Sequence, residues 1–312
     1  MFHIKGLIHY KLVTHAFIDG YSRFITGIRV NNNNRAQTVL DLFLAMIQQH
    51  GLPQRVCGDH GGENVLVARY MEDMQGQGRG SYIWGRCVIC HHHCQTELMS
   101  VVRSVHNIWI ERLWVDWTSG VGAKWKSFFQ KLEIHHGLDP ENPAHIWLLH
   151  HLFLPIINHE ALEWANSWNS HIISLPDQRN ATPHALHFFS ILQGGGRGID
   201  AHGNVLEGFQ PHEDRLQEDE IEEYGIDWDT YDDQRVQAHH SQNNPLDHLG
   251  HNPFVAHWPD EHNVVDVEIS PSPLTEQQRQ ILDSSLLLRH SIDDLQQLWS
   301  QAFAICLTQF QW

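Results

Sequence analysis

Gly58-Asp59-His60-Gly61-Gly62-Glu63-Asn64 places a carboxylate where an apolar segment stops and a glycine turn begins. Before it, Leu52-Pro53-Gln54-Arg55-Val56-Cys57 reads as a short buried strand; after it, Val65 to Met71 reads as a helix. Asp59 then stands at a strand's carboxyl end, which is where open α/β sheets place their sites. Asp-x-Gly-Gly is equally ordinary β-turn chemistry, so the surrounding sequence has to decide between the two.

Upstream, Leu12 to Asp19 and Arg23 to Val30 are rich in β-branched and aromatic residues and flank Gly20-Tyr21-Ser22, the pattern of a hairpin. A polar loop, Asn31 to Asn34, leads to Arg35 to His50. There Val39, Leu40, Phe43, Leu44 and Ile47 fall at the spacing of an amphipathic helix. Strand, strand, helix, strand, helix in that order predicts a mixed α/β sheet.

Downstream, Arg79 to Arg86 reads as a basic, aromatic loop, and Ser104 to Asn107 as the cap of a helix running to about Thr118. Ile110, Leu113, Trp114 and Trp117 form its apolar face, so Glu111 falls one step off it, where a glutamate is ordinarily solvated. Lys124, Lys126 and Lys131 alternate with Trp125, Phe128 and Phe129. They mark either an amphipathic helix or a basic edge that grips phosphates. Asn142-Pro143 opens a long apolar helix reaching Pro155, a further helix holds Leu162 to Trp168, and Thr182-Pro183 begins one more.

The 312 residues carry a net charge of −17, but the charge is local. Residues 200 to 268 hold 18 Asp and Glu against Arg215 and Arg235, a net of −16, whereas residues 1 to 199 sum to +1. The first two thirds of the chain is therefore electrostatically free to approach phosphates. The acidic stretch, poor in periodic apolar residues, is expected to be largely disordered and suited to a basic protein partner. Domains follow at 1–198, 199–270 and 271–312, the last helical. No apolar run is long enough to span a bilayer and no signal pattern opens the sequence, so a soluble, intracellular protein is expected.

Taken together, Ile18-Asp19-Gly20-Tyr21-Ser22-Arg23, Asp59-x-Gly61-Gly62-Glu63-Asn64, Arg79 to Arg86, Ser104-Val105-His106-Asn107-x-x-Ile110-Glu111-Arg112-Leu113-Trp114 and Trp168-Asn169-x-His171 resemble the integrase core of retroviruses and retrotransposons, in the form of fungal transposon-derived proteins. The resemblance implies a ribonuclease-H-like fold and a triad of carboxylates that holds two divalent ions for in-line phosphoryl transfer. Mg²⁺ or Mn²⁺ suits such oxygen ligands. Asp59 and Glu111 correspond to the second and third carboxylates, reversing the bland reading of both. Asn107 and Arg112 would position the metal shell or DNA, and Lys124 and Lys126 would contact phosphates. DNA is the implied partner, a homodimer the implied assembly, and the nucleus the implied location if chromosomal DNA is the target.

The sequence departs from this pattern twice. Asp19 is similar to a non-catalytic Asp on the family's second strand, and no Asp or Glu precedes it. The first strand is therefore expected to be truncated and activity impaired, with Asp19 a doubtful first carboxylate. Second, Cys87 to Arg103 separates two motifs that are contiguous in the family. Removing these 17 residues from the 51 between Asp59 and Glu111 leaves 34, close to the family's spacing. The insertion carries Cys87, Cys90 and Cys94 beside three histidines, and can be a zinc loop, a surface loop or a retained intron translated in frame.

Overall fold

A computed structural model describes residues 5–58, 61–76, 81–84, 108–173, 180–194, 233–236, 238, 267, 269–286, 292–310 and 312. The fold is mixed α/β and mostly helical. In chain order its elements are α1 (Lys5–Ile8), β1 (Val13–Ile18), β2 (Ile25–Asn31), α2 (Ala36–His50), β3 (Val56–Gly58), α3 (Val65–Gln75), β4 (Tyr82–Trp84), α4 (Ile108–Trp117), α5 (Ala123–His135), α6 (Pro143–Ser170), α7 (Pro183–Gly194), α8 (Glu276–Ser285) and α9 (Ile292–Gln309).

β1 and β2 pair antiparallel, from Val13 opposite Asn31 to Ile18 opposite Ile25, with a bulge that leaves Thr26 over. That extra residue matters at the outer edge of β2. There α6 replaces a third strand: Asn169 pairs with both the N–H and the C=O of Ile25 (2.8 and 3.1 Å), and Asn158 does the same for Val30 (2.8 and 2.9 Å). Eleven residues of helix rise about 16.5 Å and five residues of strand span the same distance, so two amides on one helix face match two points on the strand. Five is an odd step, which would turn one of the two backbones toward β1. The bulge at Thr26 restores the parity.

α2 buries Val39, Leu42, Phe43, Met46 and Ile47, the i, i+3, i+4, i+7, i+8 stripe, and stops at Gly51 in the left-handed region (φ 80°). Its stripe and that of α3 form one apolar cluster, with Phe43 and Met71 fully enclosed. On the other side of the hairpin a larger cluster joins Trp114, Trp117, Trp125, Phe129, Phe153 and Trp299. The hairpin is thus the middle layer between two helical cores. α9 closes the second core, with Trp299 Nε1 donating to the His136 carbonyl at 2.9 Å, so the C-terminal helices pack on the body of the protein.

The structure corrects four boundaries. The strand expected from Leu52 begins only at Val56, because Pro53 has no N–H to donate. Tyr82–Trp84, expected in a loop, is a strand parallel to β3, with Val56 paired to Tyr82 and Gly58 to Trp84. The helix expected to stop near Thr118 continues through a π-helical turn, Thr118–Gly122, into α5. Finally, α6 does not break at Pro155 but runs unbroken for 28 residues. Pro155 lies on its exposed side, where the carbonyl it leaves unpaired can meet water.

No helix among the described residues is long and apolar enough to cross a membrane. The acidic stretch lies outside the described residues except for Asp233–Val236, Ala238 and Val267.

Candidate active site

Gly58, which ends β3, and Gly61 are both crowded by their neighbours. A methyl group added at Gly58 would land 2.0 Å from the Tyr82 hydroxyl and 3.0 Å from Tyr82 Cζ, so the ring from β4 fills the space a side chain would need. At Gly61 a methyl group would meet the Glu63 carboxylate at 2.5 Å. A side chain at Gly58 would have to displace the Tyr82 ring, and one at Gly61 the end of the Glu63 side chain; Asp59-His60 between them lie outside the described residues. A single 3-10 turn, Gly62–Asn64, then leads into α3 with Glu63 and Asn64 both buried. Burial of the Cys57 thiol pushes it up to about 12, so unless a metal cation binds it the thiol stays protonated at neutral pH.

Glu111 is the main correction to a periodicity argument. A residue one step off an apolar stripe is expected in water, yet Glu111 is 1% exposed. α4 packs against β1, and the contact draws Glu111 in with Ile110, Leu113 and Trp114. Burying a carboxylate to this extent is costly unless something charged or polar compensates it.

Asp19 has a different occupation. Its Oδ2 accepts from the Ser22 N–H at 2.9 Å and from Ser22 Oγ at 2.5 Å, and His187 Nδ1 from α7 lies 3.9 Å away. The carboxylate ties the hairpin turn, in which Arg23 takes a left-handed conformation (φ 60°). The Arg23 carbonyl in turn accepts from Trp168 Nε1 at 2.9 Å.

The basic residues separate into three situations. Lys124 Nζ donates to Glu160 Oε1 at 2.6 Å while Trp125 Nε1 donates to Oε2 of the same carboxylate at 2.8 Å, which pins α5 to α6. Lys126 is exposed on α5. Arg112 donates from Nε to Asp116 at 3.1 Å and from Nη1 to Asp233 at 2.6 Å. Asn107, Cys87, Cys90 and Cys94 lie outside the described residues. Among the described residues, no group of three or more His, Cys, Asp or Glu is placed to hold a metal.

Against this geometry, an integrase core domain family matches residues 1–97 and 88–201, well over half the chain. The chain belongs to the integrase core domain family. The two matched segments of this integrase core domain overlap at residues 88–97, inside the Cys87–Arg103 stretch. No curated protein and no solved structure matches the chain.

Sequence reasoning missed two parts of the integrase core's corner: Tyr82 as the buttress under Gly58, and the burial of Glu63. The signal for Tyr82 was present, since Ser81-Tyr82-Ile83-Trp84 is a β-branched and aromatic run. The flanking Arg and Gly residues masked it. Glu63 gave no such signal, because a single Glu after two glycines says nothing about depth.

Proposed function

We propose that this integrase core derives from a transposable element, that its sheet is ribonuclease-H-like, and that its ancestral chemistry is metal-dependent DNA strand transfer. The observation that carries the reading is Glu111, a carboxylate 1% exposed on a helix packed against β1. A hairpin, a helix and then a parallel strand pair support the fold, and the glycine bracket around Asp59 supports a site there.

In this reading Asp59 and Glu111 supply hard oxygen ligands for Mg²⁺ or Mn²⁺, which lowers the pKa of an attacking water or 3′-hydroxyl and stabilises the leaving oxygen. Asn107 and Arg112 orient the metal shell or DNA, and Lys126 faces solvent where a phosphate can reach it. Lys124 would first have to release Glu160. Asp19 is engaged in its turn, so this reading assigns the metal only Asp59 and Glu111 and expects strand transfer by residues 1–312 to be impaired. That engagement also favours a second reading, a nucleic-acid-binding module without turnover.

The test is a strand-transfer and nicking assay on labelled duplex DNA with Mn²⁺, run alongside duplex binding. Binding without product is the expected outcome. Turnover abolished by Asp59→Asn would overturn the impairment, and loss of both DNA and Mn²⁺ binding would overturn the reading as a whole. Duplex binding kept intact by an Asp59→Ala, Glu111→Ala double variant would favour the second reading.

A further inference from the structure

Asp233, in the described part of the acidic stretch, meets α4. Asp233 opens a short helical turn, Gln234–Val236, that is seated by Val236 at 2% exposure. Its Oδ2 accepts from Arg112 Nη1 at 2.6 Å and from Arg235 Nη2 at 3.1 Å. Arg112 is the residue next to the buried Glu111, and it is 121 positions away from Asp233 in sequence. This is a tertiary contact, not a local one.

The flank of α4 that receives Asp233 has a composition of its own. Trp109, Arg112 and Asp116 are spaced three and four apart, so they share one side of the helix. Arg23 from the hairpin turn lies over the Trp109 ring, 3.7 Å from its centroid. Two guanidinium groups and an indole face are the elements that grip phosphates and stack bases. A guanidinium fork accepts a carboxylate and a phosphate with the same geometry.

We propose that the Arg23–Trp109–Arg112 flank is a docking strip for a polynucleotide and that Asp233 occupies its Arg112 position as a substitute for a phosphate. The acidic stretch is then an intramolecular competitor of nucleic acid. This inference rests on the polynucleotide-binding part of the function proposed above. Local charge complementarity favours it: the segment of net charge −16 over residues 200–268, the sign of a polynucleotide, meets a guanidinium where Asp233 pairs with Arg112. A tethered competitor acts at an effective concentration set by its linker, about a millimolar for a short flexible one. The buried Val236 makes the contact a seat, which a purely electrostatic encounter would not need.

The test measures affinity of the full chain for a labelled duplex oligonucleotide by fluorescence anisotropy at low salt. Asp233→Asn is expected to tighten binding about fivefold, the worth of one partly buried charge-assisted hydrogen bond. Asp233→Ala must give the same gain. Asp283→Asn changes the net charge equally but removes a contact to His151 on α6, and is expected to leave affinity unchanged. Arg112→Gln should weaken binding and cancel the gain in the Arg112→Gln, Asp233→Asn double variant. If the wild type binds and Asp233→Asn gains nothing, or Asp283→Asn gains as much, the inference fails and the proposed function stands. If no form binds the duplex, the inference fails together with the DNA-binding part of the proposed function.

Discussion

The hairpin turn at Asp19-Gly20 and the corner at Gly58-Asp59 use the same two residue types in opposite order, yet they are held in different ways. A methyl group at Gly20 would meet nothing within 4 Å, whereas at Gly58 it would strike the Tyr82 hydroxyl at 2.0 Å. Asp19 spends its carboxylate on Ser22, one turn away in its own loop. The first is a turn made by local chemistry and the second a corner imposed by tertiary packing. A carboxylate that folds its own loop has fewer lone pairs left for a metal, and a glycine whose side-chain space a neighbouring strand fills ties that position to the packing of the strand.

Four substitutions break or sharpen that contrast. Gly58→Ala should cost about 3 kcal/mol, the upper end of overpacking a core, because the buried Tyr82 ring cannot swing away. Thermal or urea unfolding measures it, and a loss under 1 kcal/mol would mean that the corner is no tighter than an ordinary turn. Asn169→Ala should cost about 2 kcal/mol by leaving both backbone groups of Ile25 unpaired, which would place the hairpin's rigidity in α6 and not in its turn. Asp19→Ala should cost about 1.5 kcal/mol through the lost bonds to Ser22. Gly20→Ala should lie within about 0.5 kcal/mol of the wild type, as for an open surface position. The same denaturation series orders all four, and equal values for Gly58→Ala and Gly20→Ala would erase the distinction.

The contrast also shows what was legible beforehand. The hairpin and α2 could be read because their patterns, period two and period 3.6, are set by the faces they bury. The start of α6 could be read from Asn142-Pro143, and the Asn142 side chain does accept from the Ala144 N–H at 3.0 Å. What stayed hidden depends on partners distant in sequence. The passage of α6 through Pro155 requires knowing which side faces solvent. The strand at Tyr82–Trp84 requires knowing that β3 offers it an edge. Glu111 illustrates the gap most directly, since periodicity put it outside and only the resemblance to integrase cores argued for its importance. Arg112 and Lys124 were legible as cations beside a site. That Asp233 and Glu160 hold them could not be read from a sequence in which those acids stand 121 and 36 residues away.

The central claim is that Asp59 and Glu111 share a divalent metal. Titration of the full chain with Mn²⁺, following the free ion by electron paramagnetic resonance, tests it without relying on turnover. The account predicts saturable binding by the wild type, weakened at least about tenfold by Asp59→Asn and likewise by Glu111→Gln, since losing a ligand costs no less than losing an outer-shell partner. Wild-type binding that neither substitution changes, or no binding at all, would contradict it.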